Sequence, residues 1–184
     1  MVKNQRQGEE RLENTVTPKI EMIKIAFCGL GFFASPMASN LARHGYSVTG
    51  WHHTLDLSLV RKAAAAEVHV VSSLAEAVKD ADYIFTCIND IQIEELILQE
   101  GGIADHAKSN ALTIDCGVET YPVLPFAQQV QERNLRLIKA EISGTRAAAD
   151  QGELTILAKG NHHWIQECWA LFNVMATTIK VDQN

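Results

Sequence analysis

Apolar and polar residues follow one another in blocks along the chain, and the blocks predict strands and helices in alternation. The first apolar run, IKIAFCG at 23–29, is typical of a parallel strand that is covered on both faces. A turn containing glycine follows, and residues 32–44 have a helical pattern that Gly45 is placed to end. Further strands are predicted at 46–51, 68–71, 83–88, 111–116 and 135–140, with helices at 55–67, 72–80, 90–99 and 119–133. Strands and helices in this alternation predict an α/β fold with a doubly wound parallel sheet ordered 3-2-1-4-5-6, because right-handed crossovers leave few alternatives.

The two ends of the chain have patterns of their own. Residues 1–19 are polar and mixed in charge, so we expect a flexible tail ahead of one domain at 20–184. Beyond residue 141 the pattern predicts a loop at 144–152, a strand at 153–158, a helix near 162–175 and a strand at 177–181. The sheet is therefore expected to carry a short C-terminal β-α-β extension.

Charge and composition narrow the classes of partner. The formal net charge is −6, and no basic stripe is available to neutralise phosphates, which argues against nucleic acid. No apolar run has the length of a signal peptide or a membrane span, so no membrane partner is expected. The four cysteines lack zinc spacing, and no metal is predicted; reduced thiols in the cytoplasm are the expected state.

The turn after the first strand has the spacing GxGxxA, formed by Gly29, Gly31 and Ala34. Gly29 permits the tight turn, Gly31 has no side chain to block a pyrophosphate, and Ala34 lets the helix pack closely on the sheet. The intervening residues Leu30, Phe32 and Phe33 are expected to contribute backbone amides to a Rossmann-type dinucleotide site. The alternative is a glycine turn that serves packing only.

The end of the second strand bears on the choice between NAD and NADP. NAD-dependent enzymes usually place a carboxylate there to bind the ribose 2′-hydroxyl, but this chain has His52, His53 and Thr54. NADP(H) is therefore the expected cofactor, with NAD the less favoured one. A loop with two solvent-exposed histidines is the structural alternative.

The glycine turn together with SPMASNL at 35–41 resembles the opening motif of the β-hydroxyacid dehydrogenase family. This family includes 3-hydroxyisobutyrate dehydrogenase and has 6-phosphogluconate dehydrogenase and the imine reductases as relatives. A second motif, KAEISGTRAAADQGELTILAKG at 139–160, is similar to the substrate motif of the same family. The resemblance implies that Ser143 and Gly144 contact a small carboxylate substrate, a hydroxy acid or a semialdehyde. It also implies that Cys87, Ile88 and Asn89 border the cofactor, whereas Gly117 and Val118 replace the family's usual Ser-Thr pair.

Members of this family continue for about a hundred residues, into an all-helical domain preceded by a helix with a catalytic lysine. The present sequence ends where that helix is expected, and neither Lys159 nor Lys180 matches the lysine. We therefore name no catalytic residue and expect a domain that is incomplete for catalysis alone, assisted by a partner helical domain or by self-association through 160–181. The alternatives are a non-catalytic NADP(H)-binding regulator or sensor and an imine-reductase-like enzyme.

Three cysteines end neighbouring strands of the predicted sheet: Cys28, Cys87 and Cys116. Their thiols could line the edge at which a ligand binds. Packing as small buried residues is the favoured interpretation, and a redox or metal role is the alternative.

Overall fold

Residues 22–52, 58–89, 91–118 and 120–182 are described in a computed structural model of the chain. Their strands form one eight-stranded sheet in the order β3-β2-β1-β4-β5-β6-β7-β8. The strand bounds are β1 Lys24–Cys28, β2 Ser47–Trp51, β3 His69–Val71, β4 Tyr83–Thr86, β5 Leu112–Asp115, β6 Arg136–Ser143, β7 Leu154–Gly160 and β8 Ala176–Val181. The first six strands are parallel, which confirms the predicted 3-2-1-4-5-6 order.

Helices cover both faces of the sheet. Their bounds are α1 Ala34–Arg43, α2 Ser58–Ala65, α3 Leu74–Val78, α4 Ile93–Leu98, α5 Ile103–His106, α6 Val123–Glu132, α7 Arg146–Gln151, α8 His162–Glu167 and α9 Trp169–Met175. Apolar side chains of α1, α2, α7, α8 and α9 share one core, and those of α3 to α6 share the other. Strand residues alternate between these cores, as a doubly covered sheet requires.

The predicted loop at 144–152 is wrong, because most of it forms α7. The segment RAAADQ is rich in strong helix formers, and the Thr145 hydroxyl accepts a hydrogen bond from the Ala148 amide at 3.1 Å. Gly152 ends the helix in the left-handed conformation, with φ +73°. The alanines and the glycines led to the prediction of a loop, although this segment is mostly a capped helix.

The rest of the extension follows the predicted β-α-β pattern, with two additions. Strand β7 pairs antiparallel with β6, whereas β8 returns parallel to β7. The single helix predicted near 162–175 is divided into α8 and α9 at Cys168. The predicted tail at 1–19 lies outside the described residues, and no helix in the described part of the chain is long and apolar enough to cross a membrane.

Candidate dinucleotide site

The first glycine of the turn lies at a tight crossing between β1 and the segment after β4. Gly29 has φ +100°, a conformation that side chains disfavour. Its amide donates a 2.7 Å hydrogen bond to the Trp51 carbonyl at the end of β2. A Cβ atom at this position would lie 2.6 Å from the Cys87 carbonyl oxygen and 2.8 Å from an Ile88 side-chain carbon. Glycine is therefore required here by the fold itself.

The second glycine lies over open space. Apart from Gly31 itself and its two chain neighbours, no heavy atom among the described residues lies within 4 Å of a Cβ built on Gly31. Helix α1 begins directly afterwards; its N-cap residue, Phe33, makes no side-chain capping hydrogen bond, and its first turn carries no acidic residue. An uncapped helix N-terminus with room beside it suits an anion, because amide donors and the positive end of the helix dipole face the same side.

The remaining residues of the turn divide between core and surface. Leu30 and Ala34 are buried, and the Leu30 side chain packs over Gly50 in β2. Phe32 is 54% exposed, and its ring meets the Phe33 ring edge-to-face at a centroid distance of 5.0 Å. The turn thus presents two aromatic side chains and its backbone at the surface, while Leu30 can offer a ligand only its backbone.

A cleft of about 210 Å³ opens between the glycine turn and the ends of β4, β5 and β6. It lies on the α1 side of the sheet, where Cys87, Cys116 and Ile142 pack against the α1 core. The lining residues are Gly31, Phe32, Phe33, Ala34, Met37, Cys87, Asn89, Cys116, Val118 and Ile142. The cleft therefore joins the predicted phosphate turn to the carboxyl ends of the strands, where open α/β sheets bind ligands.

The extension reaches this turn through α7. The Arg146 guanidinium donates a 2.7 Å hydrogen bond to the Phe32 carbonyl and lies 5.6 Å from the centre of the Phe32 ring. One turn deeper, the buried Asn40 side-chain amide of α1 donates a 2.9 Å hydrogen bond to the Ala149 carbonyl. Helix α7 is thus held by one polar contact to the glycine turn and by another to α1.

The loops after β4 and β5 lie against each other at the far side of the cleft. The Val118 amide donates a 3.2 Å hydrogen bond to the Asn89 side-chain oxygen. Cys87 and Cys116 each follow a residue of the β4–β5 register pair Thr86 and Asp115, and their thiols are within hydrogen-bonding reach of each other. That hydrogen bond and burial raise the pKa of the Cys116 thiol well above its usual value.

A buried ion pair supports the loop after β5 from the other face of the sheet. The Lys139 ammonium lies 2.8 Å from the Asp115 carboxylate and donates to the Gly117 carbonyl at 3.0 Å. The same carboxylate accepts hydrogen bonds from Thr86, Tyr121 and the Gly117 amide, each at 2.9 Å. Both charged groups are therefore paired and hydrogen-bonded, as buried charges must be to avoid a large desolvation cost.

Residues 24–182 match the profile of a family described as the NAD binding domain of 6-phosphogluconate dehydrogenase. The chain belongs to this family. The match begins at β1 and ends after β8, so it covers the whole described sheet, including the extension.

Three known proteins are similar to this domain. An uncharacterised oxidoreductase of Synechocystis is 41% identical over 140 residues, which are 75% of this chain and 48% of that protein. The NAD-dependent L-serine dehydrogenase of Pseudomonas aeruginosa is 30% identical over 162 residues, 86% of this chain and 53% of that enzyme. The structure of Mycobacterium tuberculosis 3-hydroxyisobutyrate dehydrogenase with L-serine has a TM-score of 0.71 at 24% identity, covering 87% of this chain and 54% of that one. The chain thus spans about half the length of these proteins.

Several predicted site residues of this family member lie together, and others lie apart. The glycine turn, Cys87 and Asn89 line one cleft, whereas Ile88 packs into the core on the other face of the sheet. Ser143 and Gly144 are exposed at the end of β6 and are not among the residues that line the cleft. His52 is half-buried after β2, also outside the cleft lining, and His53 and Thr54 lie outside the described residues.

Neither Arg146 nor the Asp115–Lys139 pair was predicted from the sequence. A lysine inside the buried strand LRLIKA was itself a signal, because a buried ammonium needs an acidic partner and the neighbouring strand ends in Asp115. Arg146 gave no comparable signal, since its partner is a backbone carbonyl 114 residues away. Of the three strand-end cysteines, Cys87 and Cys116 line the cleft, whereas Cys28 is fully buried on the opposite face, where burial raises its pKa to about 12.

Proposed function

We propose that this domain binds NADP(H) along the carboxyl edge of its sheet and serves an oxidoreductase. The observation that carries the proposal is the open space over Gly31 at the uncapped N-terminus of α1. A phosphate group fits such a position, because it meets several N–H donors and the first turn of α1 carries no acidic residue. Family membership supports the dinucleotide, since the matching profile is that of an NAD-binding domain.

The residues have the following roles in this proposal. The pyrophosphate lies on Gly29 to Ala34, with amides of the turn as donors. His52, His53 and Thr54 surround the adenosine end, and Cys87, Asn89 and the backbone of Ile88 border the nicotinamide end. NADPH, when bound, supplies a hydride for a carbonyl carbon. The protein's part is to orient the cofactor and exclude water around it.

The preference for NADP(H) rests on the absence of a carboxylate at His52-His53-Thr54. An acidic side chain there would repel a 2′-phosphate, whereas a histidine can donate to it when protonated. The P. aeruginosa relative is named as NAD-dependent, so this preference needs its own test.

For the complete oxidoreductase we propose a small hydroxy acid or semialdehyde as substrate. Two relatives are named for 3-hydroxyisobutyrate and L-serine, both small hydroxy acids. Ser143 and Gly144 are the proposed contacts for the substrate carboxylate. A second copy of the chain or a helical domain is the proposed partner, and the cytoplasm is the proposed location.

The test is a fluorescence titration of the purified chain with NADPH and then NADH. We expect tighter binding of NADPH and a marked loss of binding in Gly31→Ala, whose added methyl group meets no protein atom within 4 Å. Because the methyl group has room, the thermal midpoint of Gly31→Ala should equal that of the wild type. Binding of neither nucleotide, or full binding by a folded Gly31→Ala variant, would overturn the proposed site.

The cofactor preference is tested separately by His53→Asp. The new carboxylate should weaken NADPH binding and strengthen NADH binding, because it repels a phosphate and accepts from a free ribose hydroxyl. Equal affinities for the two nucleotides in the wild type would contradict the preference for NADP(H) and leave dinucleotide binding itself intact.

A further inference from the structure

We propose that Cys87 and Cys116 form a reversible disulfide that alters the dinucleotide cleft. The inference rests on the proposed function only for its effect on binding. The formation of the disulfide follows from the placement of the two cysteines alone.

The two cysteines lie side by side on adjacent parallel strands. Thr86 and Asp115 are register partners at the ends of β4 and β5, and the Cys116 amide donates a 2.8 Å hydrogen bond to the Thr86 carbonyl. Cys87 and Cys116 are the next residues on each strand, and both pack against the α1 core. Their side chains therefore point to the same face. Neighbouring strands lie about 4.8 Å apart, so a disulfide between these two side chains needs only a small approach of the two loops.

Cys87 and Cys116 both border the cleft. Cys87 and Cys116 are half-buried and line it together, whereas the other two cysteines of the chain, Cys28 and Cys168, are buried in the core. A small oxidant that enters the cleft therefore meets these two thiols and no others. The Cys116 thiol donates to the Ile114 carbonyl at 3.9 Å, so we expect the Cys87 sulfur to react first.

The reaction balances with hydrogen peroxide as the two-electron oxidant. The Cys87 sulfur attacks one peroxide oxygen, the O–O bond breaks, and a sulfenic acid and one water form. The Cys116 sulfur then attacks the Cys87 sulfur, the S–S bond forms, and the sulfenic oxygen leaves as a second water. Two thiols lose two electrons and two protons, and a dithiol reductant reverses the change.

The disulfide changes the cleft through the backbone of Cys87. The Cys87 carbonyl lies against Gly29, with no room even for a methyl group between them, and Asn89 bonds to the Val118 amide. Drawing Cys87 toward Cys116 therefore moves the segment that borders the glycine turn and the far side of the cleft. Oxidation is expected to weaken NADPH binding at least about tenfold. By linkage, bound NADPH favours the dithiol over the disulfide. Because it fills the cleft from which an oxidant reaches the cysteines, we also expect it to slow oxidation.

The experiment treats the whole chain with hydrogen peroxide and measures intact mass and a peptide map under non-reducing conditions. We expect a mass loss of two hydrogen atoms, a Cys87–Cys116 cross-link and full reversal by dithiothreitol. Cys87→Ser and Cys116→Ser should each lose the cross-link, whereas the matched controls Cys28→Ala and Cys168→Ala should keep it. A gain of oxygen without a cross-link, or a cross-link to a different cysteine, would overturn the proposal.

The effect on the cleft is read from the same samples. NADPH affinity is measured before oxidation, after it and after reduction, and the rate of cross-linking is measured with and without saturating NADPH. A disulfide that forms but leaves affinity and rate unchanged would overturn the effect on binding. If the chain forms the disulfide but does not bind NADPH, the proposed function is contradicted, whereas the proposed disulfide is still supported.

Discussion

The Arg146 guanidinium holds the Phe32 carbonyl at 2.7 Å, joining residues 114 positions apart. A peptide unit is planar, so the hydrogen bond to this carbonyl also fixes the direction of the Phe33 amide on the opposite side of the plane. That amide belongs to the turn at which we place the pyrophosphate. Arg146 is thus a positioning residue for the turn, although it lies in the C-terminal extension.

Loss of this contact should weaken dinucleotide binding. We expect Arg146→Ala to raise the Kd for NADPH roughly 3- to 10-fold, the worth of one hydrogen bond to a partly exposed charged group. Asp150→Ala is the matched control, because it removes the other partner of Arg146, at 3.3 Å, and leaves the Phe32 contact in place. Both Kd values are measured by fluorescence titration. Equal losses of NADPH affinity in the two variants would show that the contact of Arg146 with Phe32 does not contribute to binding.

The buried pair of Asp115 and Lys139 should dominate the stability of the strands that carry the site. Lys139→Met leaves a buried carboxylate without its counter-charge, which is expected to cost about 3–5 kcal/mol of unfolding free energy. Lys159→Met is the control, since Lys159 pairs with Glu141 at 2.7 Å on the same two-stranded region but is far more exposed. Its cost should stay below about 1 kcal/mol in urea unfolding. A small effect of Lys139→Met would mean that the carboxylate is satisfied by its other donors.

Substitution by alanine should affect stability very differently at Gly29 and at Gly31. Gly29→Ala forces a side chain into a left-handed conformation and against the Cys87 carbonyl, so we expect a loss of more than about 2 kcal/mol in unfolding free energy. Gly31→Ala should retain nearly the full unfolding free energy of the wild type. Urea denaturation of the two variants side by side tests the contrast, and similar losses in both would contradict the assignment of a structural and a ligand-facing glycine.

Acid should remove part of the stability through Asp82. Burial tends to raise the pKa of this carboxyl, but hydrogen bonds from Lys108 and from the Lys24 amide outweigh it and lower the pKa below its usual value. A lowered folded-state pKa stabilises the fold above the unfolded pKa of about 4 and loses that contribution as the pH falls through the folded value. Asp82→Asn should therefore be less stable than the wild type by no more than about 1 kcal/mol at neutral pH, because the group is largely exposed.

The measurement is urea unfolding of both proteins at neutral pH and at about pH 3. The difference in free energy should shrink at the lower pH, where the wild-type carboxyl begins to take up its proton. A difference that is the same at both values would assign the effect to the shape of the side chain rather than to its charge.

Local sequence patterns were sufficient for the sheet and insufficient for the extension. The apolar runs at β1, β4 and β5 are typical of strands in a parallel sheet covered on both faces. The right-handed crossovers between parallel strands then determine the strand order. Helix α7 was missed because alanines and a closing glycine suit both a loop and a short capped helix, and only packing on α1 distinguishes them. The reversal of direction between β6 and β7 likewise depends on the pairing partner, which local pattern does not encode.

The candidate site shows the same division. Gly29, Gly31 and Ala34 can be recognised from the sequence because the turn, the ligand and the helix packing that require them all lie within six consecutive residues. Arg146 and the partnership of Lys139 with Asp115 depend on contacts between distant segments, so no local pattern announces them. Ile88 and Leu30 were placed in the site by their neighbours in sequence, yet their side chains belong to the core.

The contacts of α7 with α1 also set an order of events during synthesis. The glycine turn leaves the ribosome early. Two hydrogen bonds that hold it and α1, from Arg146 to the Phe32 carbonyl and from Asn40 to the Ala149 carbonyl, need residues that are synthesised more than a hundred positions later. A nascent chain that has emerged only through β6 holds the turn without either contact. The turn and α1 therefore gain these two contacts only after α7 has been synthesised, although the signature residues of the turn are translated first.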